Sequence, residues 1–284
     1  MSANAGIARA YRIRGPAAVS GDPRRFWHLV TTLAYNDWKL RFFGSVLGYV
    51  WSLLRPLMLF AILYVVFSHV IRIGGDVENY PVQLLVGVVL FTYFTDVAGG
   101  AVESLVDSEP LVRKVAFPRM VIPLAVAMTA TFTLALNLLT VGVFLVVAGI
   151  EPRVEWLLLV VPLVLLMALG AGAAMLLSAL YVPFRDVRPI WDVVQQALFY
   201  ATPIFYPIEI VIGQSDTLAK VAMCNPLALI VQWVRHILLG PPTPSPSEVL
   251  GGTAVVAPLV ALAAVAVVGY AVFSRMAPSV AERL

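Results

Sequence analysis

Between residues 46 and 274 the chain carries about six apolar stretches of spanning length, and nearly every basic residue sits at only one end of each. That arrangement leaves little choice of architecture: a bundle of helices crossing a lipid bilayer, with a fixed orientation. Composition agrees. Apolar residues make up 61% of the chain and charged residues 12%, against roughly 25% charged in a soluble domain. There is too little polar surface here to wrap a water-facing globule of 284 residues. The expected fold class is all-α and integral to the membrane.

The net charge of +3 does not indicate a nucleic-acid partner, because the basic excess is accounted for at one membrane face. Cys224 is the only cysteine, so an intrachain disulfide or a cysteine-based metal site is excluded. His28, His69 and His236 lie far apart, and none forms a metal-binding pair in sequence. No Gly-Lys-Ser/Thr triplet occurs, so this chain does not offer a P-loop for ATP. Arg9, Arg12 and Arg14 near the start are followed by no apolar core. Residues 1–22 are therefore read as a flexible cytoplasmic tail rather than a signal peptide.

Residues 23–44 mix Arg24, Arg25, Lys39 and Arg41 with Phe26, Trp27, Leu29, Leu33 and Trp38. Apolar residues recur at helical spacing, which predicts an amphipathic helix in the membrane interface. Spans are expected at about 50–73, 82–102, 120–150, 156–182, 189–206 and 250–273. The fifth ends in ATPIFYP (201–207), where two prolines stop or break the helix. Residues 207–240 hold apolar pieces too short and too interrupted for a span, and fit re-entrant or interfacial helices.

Arg9, Arg12, Arg14, Arg24, Arg25, Lys39, Arg41, Arg113, Lys114, Arg119, Arg185, Arg188, Arg275 and Arg283 fall on one side. Arg72, Arg153, Lys220 and Arg235 fall on the other. The richer side is expected to be cytoplasmic, with both termini inside.

Few residues in the apolar core can carry chemistry. Asp96 lies about 20 Å along span two, counted from Val82 at 1.5 Å per residue. A carboxylate at that depth serves as a proton or substrate group, or pairs with a basic residue of another helix. Thr129, Thr133, Asn137 and Thr140 share one face of span three. They line a polar path or hydrogen-bond neighbouring helices. Phe60, Tyr64, Phe67, Phe91, Phe94, Phe199, Tyr200, Phe205 and Tyr206 gather on spans one, two and five. Such rings stack on the C–H faces of sugars or anchor helices at the interface. The charged segment 109–119, with Glu109, Arg113, Lys114 and Arg119, is a cytoplasmic docking surface or a solvated loop.

Four segments in order resemble signatures of the ABC-2 type permeases that export polysaccharides, O-antigens and teichoic acids. The first is RFFGSVLGYVWSLLRPL (41–57), with Ser45, Leu47, Gly48, Trp51 and Pro56. The second is EPLVRKVAFPRMVIPL (109–124), with Phe117, Pro118, Arg119 and Pro123. The third is FRDVRPIWDVVQQALFYATPIFYP (184–207), with Arg185, Asp186, Val187, Gln195 and residues 202–207. The last is NPLALIVQWVRHILLG (225–240), with Asn225, Pro226, Arg235 and Gly240. The resemblance covers residues 24–275.

It implies six transmembrane helices, an N-terminal interface helix (23–44) and two short re-entrant gate helices before the last span, within one domain over 23–284. It also implies pairing with a second copy around a channel, and two copies of a separate ATP-binding subunit that hold ATP and Mg. This chain then needs no cofactor of its own and is not an enzyme. The substrate implied is an undecaprenyl-diphosphate-linked glycan crossing a bacterial cytoplasmic membrane among its lipids. On this basis Glu109, Arg113, Lys114 and Arg119 dock the ATPase, and 207–240 forms the outer gate. Arg24, Arg25, Trp38, Lys39 and Arg41 receive the lipid diphosphate, and the nine aromatic residues named above line the glycan path. Two other readings are a permease for a drug or simple lipid, and a membrane anchor that transports nothing.

Overall fold

A computed structural model describes residues 22–42, 48, 50–72, 77–114 and 118–277. Every regular element among them is helical. The tail expected over 1–22 lies outside the described residues except for Asp22, as do Ser45, Leu47, Phe117 and Arg283.

The first helix, α1 (Pro23–Phe42), buries Phe26, Val30 and Ala34, spaced four apart on one edge. It presses that edge on α6 (Val121–Val147), where the Thr129 hydroxyl donates to the Ala34 carbonyl at 3.1 Å. A helix therefore occupies the stretch expected to be helical, with Arg24, Arg25, Lys39 and Arg41 all exposed.

Five continuous helices are long and apolar enough to cross a membrane. They are α2 (Val50–Val70), α3 (Tyr80–Val102), α6, α7 (Val154–Tyr181) and α13 (Gly252–Met276). Between α3 and α6 lie two short helices, α4 (Ser104–Asp107) and α5 (Glu109–Lys114). The span expected at 189–206 is α8 (Val187–Ala201), 15 residues long. At 1.5 Å per residue it reaches about 22 Å, short of a ~30 Å hydrocarbon core. Thr202 is already extended, so the Pro203–Pro207 turn ends the helix early. Three further pieces follow: α9 (Ile208–Gln214), α10 (Asp216–Met223) and α11 (Pro226–Leu239). α10 and α11 are bent by 103° against each other and together are apolar enough for a sixth, broken span or a re-entrant loop. α12 (Pro246–Leu250) then leads into α13, its start fixed by a capping box between Ser245 and Glu248. The Ser245 backbone N–H and hydroxyl hold the exposed Glu248 carboxyl below its usual range.

Lipid tails are as apolar as leucine, so helices in a bilayer associate through close packing of small residues. The tightest crossing joins α7 to α13. Gly172 and Gly269 stand face to face: a Cβ added to Gly269 would come within 2.1 Å of the Gly172 carbonyl oxygen. α3 is the most buried of the spans and α2 the least. That places α3 at the centre of the subunit and leaves α2 at its edge.

Candidate functional site

Asp96 lies on α3, six residues before the helix ends at Val102 and so about 9 Å from that end. It pairs with Arg55 of α2, with Nη1 and Oδ1 3.6 Å apart. Of the two expectations for Asp96, this is the basic partner on another helix. Arg55 itself escaped the charge count above, because it sits one residue before Pro56 inside an apolar run. Its side chain remains mostly exposed, whereas Asp96 is largely covered.

This pair sits in the wall of a cavity of about 510 Å³ between α1, α2, α3 and α6. Arg41 closes the α1 end, and Trp51, Ser52 and Pro56 come from α2. Thr92 and Asp96 come from α3, and Thr133 and Asn137 from α6. The polar stripe of span three thus divides its work. Thr129 fastens α1 by a hydrogen bond, while Thr133 and Asn137 face the cavity. Asn137 is 4% exposed, and its amide makes no hydrogen bond to the described residues. Trp38 lies between α1 and α6, its ring 6.0 Å from Phe132.

At the same ends of the helices, charges tie α3, α7 and α8 together. The Tyr181 hydroxyl donates to Glu103 at 3.1 Å. Arg188 lies 3.8 Å from Glu103 and 3.5 Å from Asp192, and donates to the Gly99 carbonyl at 3.2 Å. The Arg185 guanidinium stacks 4.8 Å over the Tyr181 ring. Glu103 immediately precedes α4 and α5, so the charged segment and α8 share one anchor.

Within the 109–119 segment, α5 carries Glu109, Arg113 and Lys114, the side chains of the last two lying outside the described part. Arg119 departs from the expected docking role. It is 3% exposed and donates to the Ala277 carbonyl beyond α13. A buried guanidinium that binds its own backbone is an anchor for the segment and is not free to meet a soluble partner.

The opposite ends of the helices converge on the ATPIFYP turn. Arg235 of α11, expected among the extracytoplasmic charges, is 1% exposed. Its Nε donates to the Gln83 carbonyl at 2.9 Å, Nη1 to Pro203 at 2.6 Å and Nη2 to Ile204 at 2.8 Å. Tyr80 donates to the Phe205 carbonyl at 2.7 Å. Asn225 donates to the Thr202 hydroxyl at 2.9 Å while accepting from Leu227 N–H to cap α11. Arg235, Tyr80 and Asn225, from separate helices, therefore hold one turn.

The aromatic residues form two groups. Phe67, Phe91, Phe199, Tyr200, Phe205 and Tyr206 are linked ring to ring. Phe67 lies 4.7 Å from Phe205, and Phe91 5.2 Å from Phe199. Phe60 and Tyr64 stack at 5.8 Å as a separate pair beside Phe144. Phe94 contacts Trp191 instead, at 6.1 Å. Phe60, Phe91 and Phe94 are buried within the subunit, whereas Tyr200 is 59% exposed.

Comparison with known proteins sets this architecture in context. A family model described as ABC-2 type transporter matches residues 28–239. An O-antigen export system permease protein, RfbA, of Klebsiella pneumoniae is 30% identical over 72% of this chain and 78% of its own length. A protein of the same name from Myxococcus xanthus is 29% identical over 84% of this chain and 87% of its own length. The polysialic acid transport protein KpsM of Escherichia coli is 23% identical over 74% of this chain and 81% of its own length. The family's members are transport permeases rather than enzymes, and membership implies a partner ATP-binding subunit. Built from apolar spanning helices and matched from α1 through α11, the chain belongs to the ABC-2 type transporter family, as a multi-pass membrane permease.

Proposed function

We propose that this chain is the membrane subunit of an ATP-driven exporter that moves an undecaprenyl-diphosphate-type, lipid-linked polysaccharide across the bacterial cytoplasmic membrane. The observation that carries this reading is the agreement in kind among relatives. Those from Klebsiella pneumoniae and Myxococcus xanthus are O-antigen export permeases, and the one from Escherichia coli transports polysialic acid. In this reading both termini lie in the cytoplasm, which the one-sided distribution of basic residues supports. ATP and Mg belong to the partner subunit.

Two copies of the chain pair around the path. α2 buries little of itself within the subunit, and α8 exposes Ile190, Val193 and Tyr200. These faces are free for a second copy and for lipid. Tyr200, Phe205 and Tyr206 then stand where a sugar chain passes, offering rings and two hydroxyls. The lipid diphosphate arrives along α1, where the exposed Arg24, Arg25, Lys39 and Arg41 supply positive charge. Residues 207–240 act as the extracytoplasmic gate, and two ATP-binding subunits dock on α5.

Deleting the chain in its native cell tests the transport reading. The surface polysaccharide is expected to vanish while lipid-linked glycan accumulates inside. An unchanged surface glycan would refute it, and accumulation of a drug or simple lipid instead would change the substrate class. Docking has a separate test. Reversing both charges with Arg113→Glu and Lys114→Glu is expected to lower co-purification of the ATP-binding subunit at least tenfold and to abolish export. Undiminished co-purification with normal export would remove α5 from the docking surface.

A further inference from the structure

The cavity between α1, α2, α3 and α6 is chemically divided. Its mouth carries two guanidinium groups, those of Arg41 and Arg55. Its deeper wall carries a carboxylate, an amide and hydroxyls, from Asp96, Asn137, Thr92 and Thr133. A phosphate entering fully would meet the Asp96 carboxylate, so an anion is favoured only at the mouth. The deep wall instead mixes acceptors with donors and suits a neutral group rich in hydroxyls. Asn137 adds the decisive point. It is 4% exposed, opens onto the cavity and has no hydrogen-bond partner among the described residues. Its amide is bonded by no protein group, so its donors and acceptor are available to whatever fills the cavity. Trp51 and Pro56 of α2 also line the cavity, and an indole ring is a surface on which the C–H face of a pyranose packs.

We propose that this cavity recognises the sugar attached to the diphosphate of the lipid-linked substrate, with Asn137, Asp96 and Thr133 reading its hydroxyls and Arg41 and Arg55 facing the phosphate. The proposal rests on the polysaccharide reading above and adds the selective step: the permease distinguishes a loaded lipid carrier from an empty one. Arg55 acts as a positioning residue for Asp96, holding its carboxylate at 3.6 Å on the cavity wall. An empty carrier has the diphosphate but nothing to satisfy Asn137, and so binds less well.

The test uses the full chain in lipid nanodiscs and a set of polyprenyl diphosphates. One is bare and the others bear a single glucose, galactose or N-acetylglucosamine. Trp51 emission reports occupancy, and Trp51→Phe serves as the blank. At least one sugar-bearing probe is expected to bind about tenfold more tightly than the bare one, as one or two net hydrogen bonds provide. Asn137→Leu is expected to erase that preference. Thr133→Val, which removes only a hydroxyl from a near-isosteric side chain, is expected to reduce it at least threefold and guards against misfolding of the asparagine variant. Equal binding of all probes, or a sugar preference that survives both substitutions, would overturn the site. Such a result with export still dependent on the chain would leave the transport reading standing. Loss of that dependence would instead remove the transport reading itself.

Discussion

Arg235→Leu is expected to leave almost no folded permease. The guanidinium is fully buried and gives one hydrogen bond to each of three backbone carbonyls, those of Gln83, Pro203 and Ile204. Two of them belong to a turn that has no helical pairing of its own. Removing the side chain strands the Pro203 and Ile204 carbonyls, which no helix pairs, at roughly 1–3 kcal/mol each. A loss of about 2–6 kcal/mol is a large part of the stability of most proteins. Arg235→Lys keeps the charge but not the fork of donors, and Gly87, whose added Cβ would meet Nη2 at 2.7 Å, shows how closely the space is shaped. The lysine variant is expected to fold with a markedly lower midpoint in a detergent thermal-shift assay. A leucine variant with an unchanged midpoint would show that the ATPIFYP turn holds without its arginine.

The second large effect concerns the α7–α13 crossing. Gly269→Val places a branched side chain where even one Cβ would lie 2.1 Å from the Gly172 carbonyl oxygen. Backbone cannot yield as a side-chain tip can, so the two helices must separate. Overpacking costs about 1–3 kcal/mol in a well-packed core, and here the loss reaches along the most extensively packed helix pair in the bundle. Gly172→Ala meets the Ala266 backbone at 2.7 Å and is expected to act in the same direction. Gly142→Ala on α6 is the control, because a Cβ there meets nothing within 4 Å. The Gly269 variant is expected to elute as aggregate in fluorescence-detected size exclusion, with Gly142→Ala unchanged. Equal behaviour of the two would mean that the crossing is not a point of close contact.

The parts of this molecule that depend on periodicity were legible in the sequence. Phe26 and Val30 marked the buried edge of α1 at helical spacing, and the Thr129–Asn137 stripe marked the polar face of α6. The spans followed from unbroken apolar length. What the sequence hid was pairing across distance. Arg55 disappears into the mean hydropathy of its span, although a cation inside an apolar run asks for a partner, and Asp96 stood one helix away. Arg235 reads as an exterior charge because its partners are backbone carbonyls of residues 83, 203 and 204, which carry no side-chain signature. Arg119 misleads for the same reason, its acceptor being the carbonyl of Ala277. The fifth span reads longer than it is, since Ile204, Phe205 and Tyr206 are apolar yet lie in the turn after α8 rather than in the helix.

The central claim is that this chain is a lipid-embedded conduit driven by a separate motor. Reconstitution in proteoliposomes tests it most directly, with lipid-linked polysaccharide on one side and its appearance on the other followed over time. Translocation is expected only when the ATP-binding subunit, Mg and ATP are all present, with no ATP turnover by the chain alone. ATP hydrolysis by the purified chain, or movement of the glycan at the same rate without the partner, would contradict the account.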